Sequence, residues 1–139
     1  SPLGLQKFED ITNTGVRKFG MGEPETVPAG QYAQQALQTL NVWDTVKDKA
    51  VFTKDVRTVL TYVESRNVEA GFVYRTDAAV SHKVQIVAAA PAASHQPIIY
   101  PAAVLTGAQQ AKEAERFLAY LHSPEAKTIF EKYGFIVSK

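Results

Sequence analysis

Cysteine is absent from the 139 residues, which excludes disulfide staples, thiolate metal sites and thiol nucleophiles together. No run is long enough to cross a membrane, the most apolar stretches, 86–91 and 98–105, being strand-sized. Neither sign of charge prevails: Lys+Arg 15 against Asp+Glu 14 leaves a formal +1. That balance gives no electrostatic reason to expect nucleic acid or an anionic membrane surface as partner. Catalytic spacing is missing as well. His82, His95 and His122 stand far apart, with no HxH or HExxH among them. There is no GxSxG elbow and no Walker loop, and Gly20-Met21-Gly22 lacks the rest of a dinucleotide fingerprint. The neighbouring carboxylates Glu9-Asp10 and Glu23/Glu25 fall in loops, where solvation accounts for them. No catalytic residue, resident metal or cofactor is expected, and the chain does not read as an enzyme. The opening Ser1-Pro2-Leu3-Gly4 carries no charged or long apolar leader. It reads as a loop that continues from a missing upstream segment.

What is present is an ordinary globular composition, 45% hydrophobic and 21% charged, enough for one compact core and part of a second. After the turn Asn13-Thr14-Gly15, residues 16–21 are expected to form a strand. A breaker-rich loop, 22–30, leads into a helix over roughly 29–40, with Tyr32, Ala33, Ala36, Leu37 and Leu40 at helical spacing. Residues 41–48 form a short helical connection in which Trp43 reads as core, and 50–52 a brief strand. Val56, Val59, Leu60 and Val63 mark a second helix, with Thr53 or Asp55 as its cap, ending near Arg66-Asn67. Residues 70–74 and 83–89 are expected as strands on either side of a helical turn at 76–81. This alternation predicts an α/β sheet with parallel pairs. The small-residue and proline run 90–97 reads as a linker, followed by a strand at 98–105. Two helices close the chain. The first is expected to bury Ala114, Phe117, Leu118 and Leu121. The second starts with Ser123 as cap and Pro124 at its first position, buries Ala126, Ile129, Phe130 and Tyr133, and stops at Gly134. One strand and two helices cannot build a sheet lobe, so this tail needs strands from elsewhere.

The residues most apt for binding lie at strand-to-helix junctions. Pro28-Ala29-Gly30 opens one helix and Asp55-Val56-Arg57 another. Helix beginnings carry unsatisfied N–H groups and partial positive charge, so they can hold an anion without a basic side chain. An ordinary helix start is the plainer alternative at both. Gly30 favours the binding reading, since the lack of a side chain lets a ligand approach the backbone. Tyr74 ends an expected strand, and strand ends of open α/β sheets are where ligands sit; a core tyrosine is its alternative. Arg57 reads as a solvated surface arginine, with anion steering or lobe bridging as alternatives.

The run from Gly22-Glu23-Pro24-Glu25-Thr26-Val27-Pro28-Ala29-Gly30 through Gln31-Tyr32-Ala33 closely resembles the signature of periplasmic molybdate-binding proteins of ABC importers. The likeness continues in order through Leu40-Asn41-Val42-Trp43-Asp44, Asp55-Val56-Arg57, Tyr62-Val63-Glu64 and Ala70-Gly71-Phe72-Val73-Tyr74-Arg75-Thr76-Asp77. It then takes in the segment from Ser94-His95-Gln96-Pro97 to Val104, followed by Ser123-Pro124-Glu125-Ala126 and Ile129-Phe130-Glu131-Lys132-Tyr133-Gly134-Phe135. The resemblance implies a type II periplasmic-binding-protein fold, one lobe nearly complete plus part of the other. Residues 1–91 would be the second lobe, and 92–139 a crossing strand and helices of the first lobe, whose N-terminal part is absent. It implies molybdate or tungstate as ligand, held in an interlobe cleft by the backbone N–H groups of Ala29 and Val56 and the hydroxyl of Tyr74. The partner it implies is the membrane permease of an ABC importer. The location it implies is periplasmic or extracytoplasmic, a membrane anchor in the missing N-terminus staying open.

The family also uses two serines from the N-terminal part of its first lobe. Ser1, Ser65, Ser81, Ser94, Ser123 and Ser138 do not sit in those motifs. Hydrogen bonds to a charged group contribute roughly 1.5–3 kcal/mol each, so three donors give about 5–9 kcal/mol gross. Association costs about 4–15 kcal/mol. Weak binding by this chain alone is the expectation, and the tail's uncovered apolar face is expected to dock either on the chain's own second lobe or on another copy. Sulfate or another small anion is an alternative ligand, and the effector-binding domain of a transcription regulator an alternative role.

Overall fold

The computed structural model describes residues 3–137; Ser1-Pro2 at the opening and Ser138-Lys139 at the end lie outside them. The chain divides into two compact units, Ser1–Pro97 and Ile98–Lys139, parting at the far end of the 90–97 run.

Three strands build the sheet of the first unit: β1 (Phe19–Gly22), β2 (Ala50–Thr53) and β3 (Ala70–Gly71), in the order β2-β1-β3. Both pairings are parallel, as the alternation predicted, with Phe19 opposite Ala50 and Ala70, and Gly22 opposite Thr53. Each strand leads into a helix: α1 (Pro28–Thr39), then α2 (Trp43–Val46) before β2, α3 (Val56–Glu64), and α4 (Arg75–Ala78). One face of β1 carries Phe19 and Met21, both fully buried with Ala33, Leu37 and Val46 in the main core, where Trp43 packs partly buried. Phe72 closes that side, edge-on to Phe19 at 5.5 Å and tilted against Phe8 at 5.0 Å. The opposite face is nearly bare backbone. A Cβ on Gly20 or Gly71 would come within 3.1 or 2.7 Å of Val59 Cγ1. Glycine there lets α3 lie directly on the sheet.

Several expected strands shrink or vanish, each because a partner is lacking. The strand expected at 16–21 begins only at Phe19, because the Arg17 and Lys18 amides donate to the Glu69 carboxylate at 3.0 and 2.8 Å instead of to a neighbouring strand. The strand expected at 70–74 is two residues long; Phe72 N–H still reaches Gly20 O at 2.9 Å, and the chain then turns into α4. Residues 83–89 and 98–105 do not join the sheet and leave Ile86, Val87, Ile99 and Leu105 exposed. β-branched composition marks willingness to pair but supplies no neighbour. The end of the 90–97 run is not a free linker. A 3-10 turn, Ala92–Ser94, sits against α1, with Ser94 buried, its carbonyl accepting from Thr39 Oγ1, and Gln96 N–H donating to Gln35 Oε1 at 2.9 Å.

The second unit holds α5 (Ala111–Leu121) and α6 (Pro124–Lys132). Ser123 caps α6 by accepting the Ala126 amide at 3.2 Å, and Gly134 ends it with a positive φ of 89°. Of the eight apolar positions expected to be buried, only Ala126 is; Phe117, Ile129 and Tyr133 are exposed at 62%, 50% and 60%. Among its described residues the unit has no strand for them to face.

Two variants test this architecture. Gly30→Val inserts a side chain where a Cβ would lie 2.0 Å from Gly22 O. Overpacking of this kind costs about 1–3 kcal/mol, and the urea midpoint should fall accordingly. Glu69 is held below the usual carboxylate range by the Lys18 amide first and by Arg17 second. A carboxyl with a lowered folded pKa stabilises above its unfolded pKa, and that stability fades as pH falls through the folded one. Glu69→Gln should therefore melt earlier at neutral pH, and the gap to the native chain should close in acid. A gap that stays constant with pH contradicts the role given to this carboxylate.

Candidate functional site

Parallel strands joined by helices bring every strand-to-helix junction to one edge of the sheet, the carboxyl edge. Here β1 ends at Gly22 and α1 starts at Pro28, β2 ends at Thr53 and α3 starts at Val56, and β3 ends at Gly71 shortly before Tyr74, the residue that caps α4. Ala29, Val56 and Tyr74 thus all lie at this edge of the first unit.

The first two junctions are tied to each other. Glu23 N–H donates to Thr53 O at 2.8 Å, joining the loop after β1 to the end of β2. The loop after β1 closes on itself, the Thr26 and Val27 amides donating to Glu23 O and the Gly30 and Gln31 amides to Val27 O. The Ala29 amide is not among these donors; it belongs to the first turn of α1, whose N–H groups have no partner within the helix. Pro28 fits the first helical position, where its missing N–H removes nothing. Gly30 has a different task from the one its sequence context indicated. Its absent side chain faces Gly22 O rather than open space, so its bareness serves strand-to-helix contact and not ligand approach.

At the second junction, buried Thr53 turns its hydroxyl onto Asp55 O at 2.8 Å. Asp55 caps α3 as expected, accepting the Thr58 amide at 2.7 Å. That amide, helped by the Thr58 hydroxyl, holds the carboxyl below its usual range. The ionised cap is thereby engaged with the third residue of the helix, and the Val56 amide is left at its beginning. Ala29 is buried, while Val56 and Tyr74 are half-buried.

Arg57 carries an interaction that sequence reasoning missed. Its Nε lies 3.2 Å from Asp77 Oδ1. The two residues are 20 apart (77 − 57), so no helical i, i+4 pattern could have signalled the pair. No group of three or more His, Cys, Asp or Glu that could hold a metal ion occurs among the described residues. What Ala29, Val56 and Tyr74 themselves offer is neutral donors, two backbone N–H groups and a phenol.

Comparison with known proteins places this arrangement in a family. The model of the bacterial extracellular solute-binding proteins matches residues 1–136. The Bacillus subtilis (strain 168) protein YvgL, described as an ABC transporter substrate-binding lipoprotein, is 54% identical over 118 residues, 85% of this chain and 45% of its own length. The molybdate-binding protein ModA of Haemophilus influenzae is 48% identical over 133 residues, 96% of this chain and 52% of its own. A solved Clostridium difficile structure, described as the substrate binding domain of a molybdenum ABC transporter, superposes with a TM-score of 0.85 at 37% identity. It covers 99% of this chain and 60% of that one. The chain spans about half the length of the curated relatives it matches. Its helices and parallel sheet have the fold of these binding proteins, as the sequence resemblance implied. The chain belongs to the bacterial extracellular solute-binding protein family.

Proposed function

We propose that this chain supplies one wall of an oxyanion site, holding molybdate or tungstate by the N–H groups of Ala29 and Val56 and the hydroxyl of Tyr74. The observation that carries the reading is that each of these residues follows the carboxyl end of a strand of one parallel sheet, two of the junctions being bonded through Glu23 and Thr53. A fully deprotonated tetrahedral dianion presents only acceptors, so a site of pure donors suits it and disfavours a protonated anion. No base, nucleophile or resident metal takes part in such capture, and the role is that of a carrier and not an enzyme. The names of the relatives favour molybdate over sulfate or another small anion.

The remaining donors, two serines in the family resemblance, come from a first lobe that residues 98–139 help to build. The exposed Phe117, Ile129 and Tyr133 are the face that the other strands of that lobe cover. In the assembled protein the loaded carrier works outside the cytoplasmic membrane and delivers its anion to the permease of an ABC importer. The lipoprotein description of one relative is consistent with a membrane-anchored carrier.

Calorimetric titration of the 139-residue chain should show molybdate binding weaker than micromolar, and weaker still after Tyr74→Phe. Micromolar or tighter binding would contradict the division of donors between two lobes. Equal response to molybdate and sulfate would favour a general anion carrier. In light scattering the chain alone should self-associate as concentration rises, since its uncovered face has no strands of its own. A monodisperse monomer with the tail protected from protease would instead mean that the face docks on the chain's own second lobe.

A further inference from the structure

Tyr74 stands on a short footing. β3 is only two residues long, and its last bond to the sheet is Phe72 N–H to Gly20 O. The ladder therefore stops two residues before the tyrosine. Beyond that point the chain is fastened to α3 instead. Tyr74 O accepts the Asp77 and Ala78 amides at 3.0 and 3.1 Å, which fixes Asp77 relative to the tyrosine backbone. The Asp77 carboxylate, only 17% exposed, meets Arg57 Nε, and Arg57 directly succeeds Val56 at the start of α3. Further along, the Ser81 hydroxyl donates to Glu64 Oε1 near the end of α3. The segment from Tyr74 to Ser81 is thus strapped to α3 at two points.

We propose that the Arg57–Asp77 pair is a positioning strap that holds Tyr74 in place relative to the Val56 amide, so that Asp77 sets anion affinity through Tyr74 without touching the anion. The inference rests on the oxyanion reading for its functional half. The strap also engages the cation adjoining Val56. Because Arg57 is 72% exposed, solvent screens the pair and the effect is modest.

The test has two arms on the 139-residue chain, comparing the native form with Asp77→Asn, Arg57→Lys, Tyr74→Phe and the Asp77→Asn/Tyr74→Phe double variant. Without ligand, Asp77→Asn should lower the protection factors at residues 77 and 78 about fivefold once the rates are corrected for the intrinsic exchange of Asn, with protection at Met21 and Phe52 unchanged. Arg57→Lys, which keeps the charge, should restore part of the protection. Unaltered protection at 77 and 78 overturns the strap. In the second arm, molybdate is titrated to millimolar concentration while the Ala29 and Val56 amide shifts are tracked by NMR. At an ionic strength that screens the freed Arg57 charge, Asp77→Asn should weaken the apparent affinity about fivefold, and the loss should disappear in the Tyr74→Phe background. Lower protection with unchanged affinity, or an affinity loss that persists in Tyr74→Phe, overturns the positioning role. A native chain whose Ala29 and Val56 amides ignore molybdate refutes the oxyanion reading itself, and with it the functional half of the strap; the exchange arm still decides the structural half.

Discussion

The contact between the first turn of α1 and the end of β1 sets the geometry of the carboxyl edge. Gly22 and Gly30 approach so closely that neither tolerates a Cβ: one on Gly22 would lie 2.5 Å from Val27 Cγ1, and one on Gly30 would overlap Gly22 O. This fixes where the helix begins and therefore where the amides of its first turn lie. Glu23 then bonds to Thr53, so the start of α3 is referred to the same edge. The third member, Tyr74, is not held by the sheet in the same way. The segment that follows it is bonded to α3 through Asp77 and Arg57. Binding of an oxyanion by neutral donors depends on such fixing, because each hydrogen bond is directional and the cation beside Val56 is already engaged by a carboxylate.

The helices of both units were legible in the sequence because they are encoded locally. The apolar spacing of α1 and α3, the Asp55 cap, Pro28 at a helix start and the Ser123-Pro124 opening of α6 all report on their own few residues. Strand partners are non-local, and there the reading failed. Residues 83–89 and 98–105 have the composition of strands, yet no strand of the sheet stands beside them. Residues 16–18 lose their ladder to a carboxylate 51 or 52 positions away. Phe117, Ile129 and Tyr133 are exposed for a related reason, one the count of one strand and two helices had already indicated. Amphipathic spacing says which face of a helix seeks cover but not whether this chain supplies the cover.

The candidate site was drawn from two signals. Junction geometry pointed to the neighbourhoods of Ala29, Val56 and Tyr74, and family likeness singled out the residues within them. The structure puts all three at one edge, while it reassigns Gly30 to packing and pairs Arg57, read as solvated, with a carboxylate. Neither change was available from spacing alone, since Gly22–Gly30 and Arg57–Asp77 are tertiary contacts.

The most direct measurement is a crystal structure of the protein grown with molybdate. The account predicts a single tetrahedral anion within hydrogen-bond reach of the Ala29 nitrogen, the Val56 nitrogen and the Tyr74 hydroxyl oxygen together. An anion bound elsewhere, or one that meets these three atoms in separate places with no common position, would contradict it.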